Sequence, residues 1–104
     1  MNIKEAPLSQ ETCQSLGMKM VTIKTEEENE FIRQIVDDQK AGLAWIGLKY
    51  EEGWKWQDGE KLDSYKNWLN GYPNRGDQWC AKILTKGRWY TTYCSDASFF
   101  VCEQ

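Results

Sequence analysis

Four cysteines are the residues of this chain best suited to covalent chemistry, because thiols can be oxidised in pairs to disulfides. Cys80 and Cys94 are close in sequence, whereas Cys13 and Cys102 lie near the two ends of the 104 residues. None belongs to a Cys-x-x-Cys pair, which argues against a zinc ribbon or a thioredoxin-like redox site. An even number in so short a chain indicates a disulfide framework. Spacing does not choose among the three possible pairings, although we favour a local Cys80–Cys94 bridge nested inside a Cys13–Cys102 bridge.

Histidine is absent from the sequence, and this removes most familiar catalytic arrangements. Ser-His-Asp and Cys-His nucleophiles need an imidazole base, and many zinc sites use imidazole ligands. Neighbouring acids such as Glu26–Glu28 and Glu51–Glu52 are more typical of a solvated face than of an acid–base pair. We therefore do not expect an enzyme.

Length and charge limit the domain count and the partners. We expect one domain over residues 1–104. The 13 basic and 16 acidic residues are interspersed, which disfavours nucleic acid and anionic membranes as partners. No apolar run is long enough for a spanning helix or a signal peptide, so we expect no direct membrane insertion. Because disulfides persist in oxidising compartments, we expect an extracellular protein, secreted or the ectodomain of an anchored parent, with a leader or anchor upstream of Met1.

Two helices are predicted at the start of the chain. The first begins at Pro7, places Leu8, Cys13 and Leu16 on one face, and stops at Gly17.

The second helix begins with the capping box Thr25-Glu26-Glu27-Glu28 and ends between Lys40 and Gly42. Its apolar residues recur at helical spacing: Phe31, Ile32, Ile35 and Val36.

Strands and one long irregular segment follow the helices. The segment from Glu60 to Gln78 has little periodicity and contains the turn dipeptides Asn70-Gly71 and Pro73-Asn74, and irregular stretches of that length are usually functional. This order of elements predicts an α+β fold. The predicted strands are Met18–Ile23, Leu43–Leu48, Trp54–Trp56, Cys80–Leu84, Arg88–Thr92 and Ser98–Cys102.

A series of short motifs runs along the chain in this order: Trp45-Ile46-Gly47-Leu48, Trp54-Lys55-Trp56 with Asp58-Gly59, Asn67-Trp68, Trp79-Cys80, Gly87-Arg88-Trp89 and Phe100-Val101-Cys102-Glu103. In this order they resemble the C-type lectin-like domain family over nearly the whole chain. With the four cysteines, the resemblance implies a double-loop α+β fold, disulfides Cys13–Cys102 and Cys80–Cys94, and a non-catalytic recognition role. It also implies that Glu60–Gln78 belongs to a ligand-bearing long loop. Only Asn2–Glu5 could supply the family's first strand, so that edge of the sheet should be short or frayed.

The calcium-binding pattern of the family's sugar-binding members is mostly missing. Those members carry a Glu-Pro-Asn or Gln-Pro-Asp triplet, an acid shortly before the cysteine that corresponds to Cys80 here, and an Asn-Asp pair after a tryptophan. Here the triplet reads Tyr72-Pro73-Asn74, the acid falls near Gln78 with Asp77 beside it, and the pair is Tyr90-Thr91. Calcium needs about six to eight oxygens, several of them carboxylates in tight sites. We expect no calcium at this position, no cofactor, and a trans Tyr72–Pro73 bond.

The candidate ligand contacts lie on the family's ligand face. Tyr72 and Tyr90 replace metal-binding side chains and could stack on a sugar or anchor a protein, although filling the vacated space is an equal alternative. Lys82 and Arg88 could add a basic fringe. Four tryptophans (Trp45, Trp54, Trp56 and Trp68), together with Trp89, are assigned to the core. The candidates are Tyr72, Asn74, Arg75, Asp77, Gln78, Trp79, Tyr90 and Thr91.

We therefore expect a calcium-independent extracellular recognition module that binds a protein surface or a glycan through the long-loop face. One alternative is a calcium-dependent carbohydrate-binding lectin. Another is an integrin ligand, because Arg75-Gly76-Asp77 spells the tripeptide that integrins recognise. A third is an ice or mineral binder, which would need a flat and regular polar array.

Overall fold

The computed structural model describes residues 8–9, 12–74 and 79–103, with residues 8–9 described by their backbone alone. Within that part, one α-helix accompanies a sheet of seven strands. The elements in chain order are β1 Leu8–Ser9, a 3₁₀ helix Gln14–Leu16, β2 Lys19–Met20, α1 Glu26–Asp38, β3 Leu43–Tyr50, β4 Trp54–Trp56, β5 Trp79–Leu84, β6 Trp89–Tyr93 and β7 Phe100–Glu103.

The sheet places strands from both halves of the chain side by side. Its main path runs β1-β7-β3-β5-β6, with β2 against β7 and β4 against β3. The β3–β7 pair is parallel and the other strand pairs are antiparallel. At the end of this path, Trp68 of the long loop forms a parallel bridge to Trp89 at the start of β6. The long loop is therefore fixed to the outer edge of the sheet.

Both disulfides form as the family resemblance implied. The Cys13–Cys102 bridge joins residues 89 positions apart and ties the 3₁₀ helix to β7. The Cys80–Cys94 bridge joins residues 14 positions apart, at the two free ends of the β5–β6 ribbon. The predicted α+β fold with a C-type lectin-like arrangement is confirmed.

The first predicted helix is wrong. Leu8 and Ser9 pair with β7, and helical structure begins only with the single 3₁₀ turn Gln14–Leu16. The backbone hydrogen bonds of Leu8–Ser9 are satisfied by the sheet, while Cys13 is held by its disulfide, so a continuous helix through both is excluded. Gly17 does end the turn, with φ 70°. Pro7 and Asn2–Glu5 lie outside the described residues.

The second predicted helix is confirmed as α1. Thr25 Oγ1 accepts a hydrogen bond from Glu28 N at 3.1 Å, and Glu28 Oε1 accepts one from Lys24 N at 2.8 Å, which satisfies free amides at the helix start. Ile32 and Val36 are fully buried. The helix ends at Asp38, slightly before the predicted range of residues 40–42.

Trp89 is the centre of the core and is fully buried. Its ring makes edge contacts with Trp56, Tyr65 and Trp68 at centroid distances of 5.6, 5.8 and 5.6 Å. Its indole N–H donates to Asn29 Oδ1 of α1 at 2.7 Å. The helix, β4 and the long loop are therefore all joined to one side chain of β6.

The tryptophans assigned to the core from sequence lie there. Trp45 and Trp56 are each 3% exposed, while Trp54 and Trp68 are partly buried against the same cluster.

Replacing Asn29 by alanine should be costly, because it leaves the buried Trp89 indole N–H without its acceptor. Gly87 O also loses a donor, although Asn67 Nδ2 still donates to it. We expect the free energy of unfolding, measured by denaturant titration, to fall by about 2–4 kcal/mol.

The exposed turn residue Asn70 offers a matched control. Asn70→Ala should change the free energy of unfolding by less than about 0.5 kcal/mol. An equally small loss for Asn29→Ala would contradict the structural role given to the Trp89 hydrogen bond.

Glu103 should make stability depend on pH. It is 5% exposed in β7, and burial raises its pKa above the usual range, although Oε1 accepts from Thr22 N at 3.3 Å. Because the folded pKa exceeds the unfolded value, the stability contributed at low pH is lost as pH rises through the folded pKa. Glu103→Gln keeps an acceptor oxygen and removes the charge, so it should raise the free energy of unfolding at pH 7.

The gain from Glu103→Gln should shrink as the pH falls below 4.5, the ordinary glutamate value, where the wild-type carboxyl is protonated in both states. Thermal melts of both proteins from pH 3 to pH 8 would measure this. Glu27→Gln, at an exposed position of α1, is the control and should give no such gain. A pH-independent difference between Glu103→Gln and wild type would refute the assignment.

Candidate ligand-binding site

The long loop approaches β6 as an additional strand-like segment. Trp89 N donates to Asn67 O at 2.9 Å, and Leu69 N donates to Trp89 O at 2.7 Å. A turn follows in which Tyr72 N donates to Leu69 O at 3.0 Å. Backbone hydrogen bonds therefore fix the loop up to the start of the Tyr72-Pro73-Asn74 triplet.

Thr91 holds the far side of the same triplet. Its side chain is almost fully buried, and its Oγ1 accepts a hydrogen bond from Asn74 N at 3.0 Å. The hydroxyl therefore holds the loop backbone directly. Thr91 occupies the position of the aspartate in the Asn-Asp pair of the family's calcium-binding members.

Tyr72 and Tyr90 lie together, as the sequence predicted. Their ring centroids are 5.9 Å apart and the planes are nearly perpendicular. Side chains alternate along β6, so Trp89 and Thr91 are buried in the core while Tyr90 lies on the opposite face, half-buried. We call the surface formed by Tyr72, Asn74 and Tyr90 the long-loop face; the candidate residue Thr91 supports it from the core side and is almost fully buried.

The Tyr90 phenol is a hydrogen-bond donor at neutral pH. Burial raises its pKa, and the charge of Asp96 and the neighbouring Tyr72 act in the same direction. A protonated phenol offers one O–H donor, an acceptor oxygen and a flat apolar ring to a ligand.

The Tyr72–Pro73 bond is cis, so the predicted trans form is wrong. The prediction assumed that only a metal would hold the loop here. The residues on both sides are instead held by the protein, Tyr72 N by Leu69 O and Asn74 N by Thr91 Oγ1.

Trp79 stacks on Tyr93, a residue that the sequence analysis missed. The two residues are cross-strand partners, with centroids 4.5 Å apart and planes inclined by 19°. Tyr93 is 53% exposed, which makes this stack a second aromatic surface at the ribbon end. The signal was present in the sequence, since each aromatic residue directly precedes one cysteine of the Cys80–Cys94 disulfide.

The two cations of the predicted basic fringe differ in their surroundings. Arg88 is exposed, and its Nη1 donates to Asn67 Oδ1 at 2.9 Å. Lys82 is only 4% exposed, with Nζ 4.5 Å from the centroid of the Trp45 ring. Lys82 is therefore not a free surface cation, because almost all of the residue is buried.

Three candidate residues, Arg75, Asp77 and Gln78, lie outside the described residues. The integrin tripeptide Arg75-Gly76-Asp77 and the position expected for a calcium-binding acid both fall there, so both stay predictions.

The described donors do not fit a calcium ion. Tyr72 and Tyr90 supply phenols in place of an acid and an amide, and the Thr91 hydroxyl accepts from Asn74 N. Over residues 12–74 and 79–103, acidic and cysteine side chains form no cluster of three that could hold a metal. Since tight calcium sites require several carboxylates among about six to eight oxygens, this set falls short.

The model of the C-type lectin domain matches residues 3–104, almost the whole chain. The chain belongs to the C-type lectin domain family. CD209 antigen-like protein A of Mus musculus is 35% identical over 98 residues, covering 88% of this chain and 40% of that protein. Asialoglycoprotein receptor 2 of Rattus norvegicus is 34% identical over 101 residues, covering 88% of this chain and 33% of that protein.

Solved structures of C-type lectin domains have the same fold as this chain. The carbohydrate-recognition domain of the mouse scavenger receptor C-type lectin superposes with a TM-score of 0.74 at 32% identity, covering 88% of this chain and 75% of that one. A calcium-independent type II antifreeze protein gives a TM-score of 0.75 at 26% identity, covering 96% and 82%. The chain spans less than half the length of the two curated relatives, 40% of the CD209 antigen-like protein A and 33% of asialoglycoprotein receptor 2. Its described residues include no helix long and apolar enough to cross a membrane.

Thr91→Val should release the loop while leaving the core filled, because valine is close in size to threonine and cannot accept from Asn74 N. We expect amide hydrogen exchange at Asn74 to speed up by about tenfold, and the free energy of unfolding to fall by about 1 kcal/mol. Thr91→Ser is the control, because it keeps the hydroxyl and should preserve most of the protection. Unchanged exchange in Thr91→Val would show that this hydrogen bond does not hold the loop.

Proposed function

We propose that this C-type lectin domain is a non-catalytic, extracellular recognition module that binds a glycan or a protein surface through its long-loop face without calcium. The observation that carries the proposal is the contact between Asn74 N and the buried Thr91 hydroxyl. The loop is held by the protein where calcium-binding relatives would use an ion, so the binding surface is already formed.

The two tyrosines give this surface its chemistry. Tyr72 supports Tyr90 edge-on at 5.9 Å, which restricts the orientation of both rings. A supported phenol can stack on the apolar side of a sugar or fill a pocket on a protein, while its O–H fixes orientation. Little side-chain freedom remains to be lost on binding, which favours affinity.

The relatives support both recognition and independence from calcium. One similar structure is a carbohydrate-recognition domain, and another is named calcium-independent. The two disulfides support an extracellular location, because such bonds persist in oxidising compartments.

The proposal is tested by a glycan array and a cell-surface binding screen, each performed with millimolar calcium and with EDTA. We expect the same ligands in both conditions, and no stoichiometric micromolar site in a calorimetric calcium titration. Binding that EDTA abolishes, with a calcium site seen by calorimetry, would establish the calcium-dependent lectin instead.

Tyr90→Ala should weaken binding of whichever ligand is found by about 5- to 30-fold, because it removes the supported ring. The control is Phe31→Ala, which removes an exposed aromatic residue from α1 and should leave affinity unchanged. Equal effects of the two variants would exclude the long-loop face as the binding surface. Far-UV circular dichroism would verify that both variants are folded.

A further inference from the structure

Lys82 lies between two aromatic residues in the middle of the sheet. It is the cross-strand partner of Trp45 on β3 and of Tyr90 on β6. Directly opposite residues project from the same face, with Cβ atoms about 5 Å apart. Lys82 therefore shares a face with Tyr90, one strand further from the edge.

The Lys82 ammonium has no hydrogen-bond acceptor within residues 12–74 and 79–103, and the Trp45 ring lies against it instead. Lys82 is 4% exposed, so only a small part of the residue meets solvent. Buried lysines keep the charged end of the side chain nearest the water, and we assign this small exposure to the ammonium.

The acid near Lys82 is already engaged with other groups. Asp96 Oδ2 accepts from Thr92 Oγ1 at 2.6 Å, and the Asp96 carbonyl accepts from Trp45 Nε1 at 3.1 Å. Burial lowers the pKa of Lys82, and the charge of Asp96 only opposes this effect. An added anion at Nζ would stabilise the charged form and replace the missing acceptor.

A second cation extends the same face. Arg88 lies directly before β6, two positions from Tyr90, and its carbonyl accepts a hydrogen bond from Leu84 N of β5 at 2.9 Å. Because the β5–β6 pairing continues to Arg88, the alternation of side chains places Arg88 and Tyr90 on the same side. Arg88 is exposed and held by Asn67. Tyr90 is thus flanked by Lys82 across the sheet and by Arg88 along the chain.

We propose that the long-loop face binds a glycan that carries an anionic group, with the acidic oxygens on the Lys82 ammonium and the sugar ring against Tyr90. This inference rests on the proposed function, and it names the ligand class. Lys82 and Tyr90 lie on neighbouring strands, about 5 Å apart, and this distance suits one sugar ring and its acidic substituent. The buried stem of Lys82 has little rotamer freedom left to lose, unlike that of an exposed lysine such as Lys86, so Lys82 is preorganised for binding.

The test uses three matched probes: N-acetyllactosamine, its sialylated form and its sulfated form. Binding to immobilised probes is measured in EDTA for wild type and for Lys82→Gln, Lys82→Met and Lys86→Gln. Lys82→Met retains an apolar stem against Trp45, so at least one uncharged variant should fold, as a thermal melt would verify. Lys86→Gln removes an equal charge from an exposed turn.

We expect an acidic probe to bind at least about tenfold more tightly than the neutral parent. Binding of the sialylated probe would indicate a ligand with a carboxylate, and binding of the sulfated probe would indicate a ligand with a sulfate. The preference should disappear in both Lys82 variants and persist in Lys86→Gln. It should also weaken as sodium chloride is raised, because screening reduces charge attraction at the surface.

Equal binding of neutral and acidic probes, lost in Tyr90→Ala, would overturn this inference and leave the proposed function intact. An acid preference that survives in Lys82→Met would also overturn it. If no glycan binds while a protein ligand depends on Tyr90, the proposed function again stands and the acidic glycan is excluded. If neither kind of ligand depends on Tyr90, both proposals fail.

Discussion

The environment of Trp89 is the constraint on which the fold and the candidate site both depend. Its ring contacts Trp56 of β4 and two aromatic residues of the long loop, and its indole N–H donates to Asn29 of α1. Its backbone N–H and C=O form hydrogen bonds with Asn67 and Leu69, the residues on either side of Trp68. Tyr90 and Thr91 follow directly in β6. Once Trp89 is seated, strand alternation determines that Tyr90 projects away from the core and Thr91 toward it. The proposed binding surface is therefore positioned by a core residue.

Tyr90 and Thr91 hold the long loop up to Asn74 through protein contacts on opposite faces of β6. A metal site would draw both residues into one coordination shell, because calcium collects oxygens from several directions. Here the Thr91 hydroxyl serves the backbone of Asn74 from the core side, and Tyr90 contacts Tyr72 from the outside. The loop is therefore held from both faces of β6, and neither contact involves a charged group.

Local signals predicted the local structure well, and pairings distant in sequence were harder to predict. The Thr25 cap, the helix α1 with its buried Ile32 and Val36, and the turn at Gly17 depend on residues a few positions apart, and each is confirmed. Phe31, predicted in the same apolar set, is exposed. The resemblance to a family supplied the disulfides and the core position of Trp89. The helix predicted from Pro7 failed because a two-residue pairing with β7, remote in sequence, determines the conformation of Leu8–Ser9.

Lys82 shows most clearly what the sequence alone could not provide. A lysine within a predicted strand is ordinarily read as a solvated side chain, and its burial depends on which residues lie on the two neighbouring strands. Only the sheet order places Trp45 on one side and Tyr90 on the other. The same order separates Lys82 from the ion pairs at the periphery, such as Lys49 with Glu51. The Lys82 ammonium lies against the Trp45 ring, has lost most of its water and has no oxygen partner among the described residues, which is costly to the isolated domain. A ligand that supplies an anionic oxygen would recover part of that cost on binding, and this is the physical basis of the proposed acidic-glycan site.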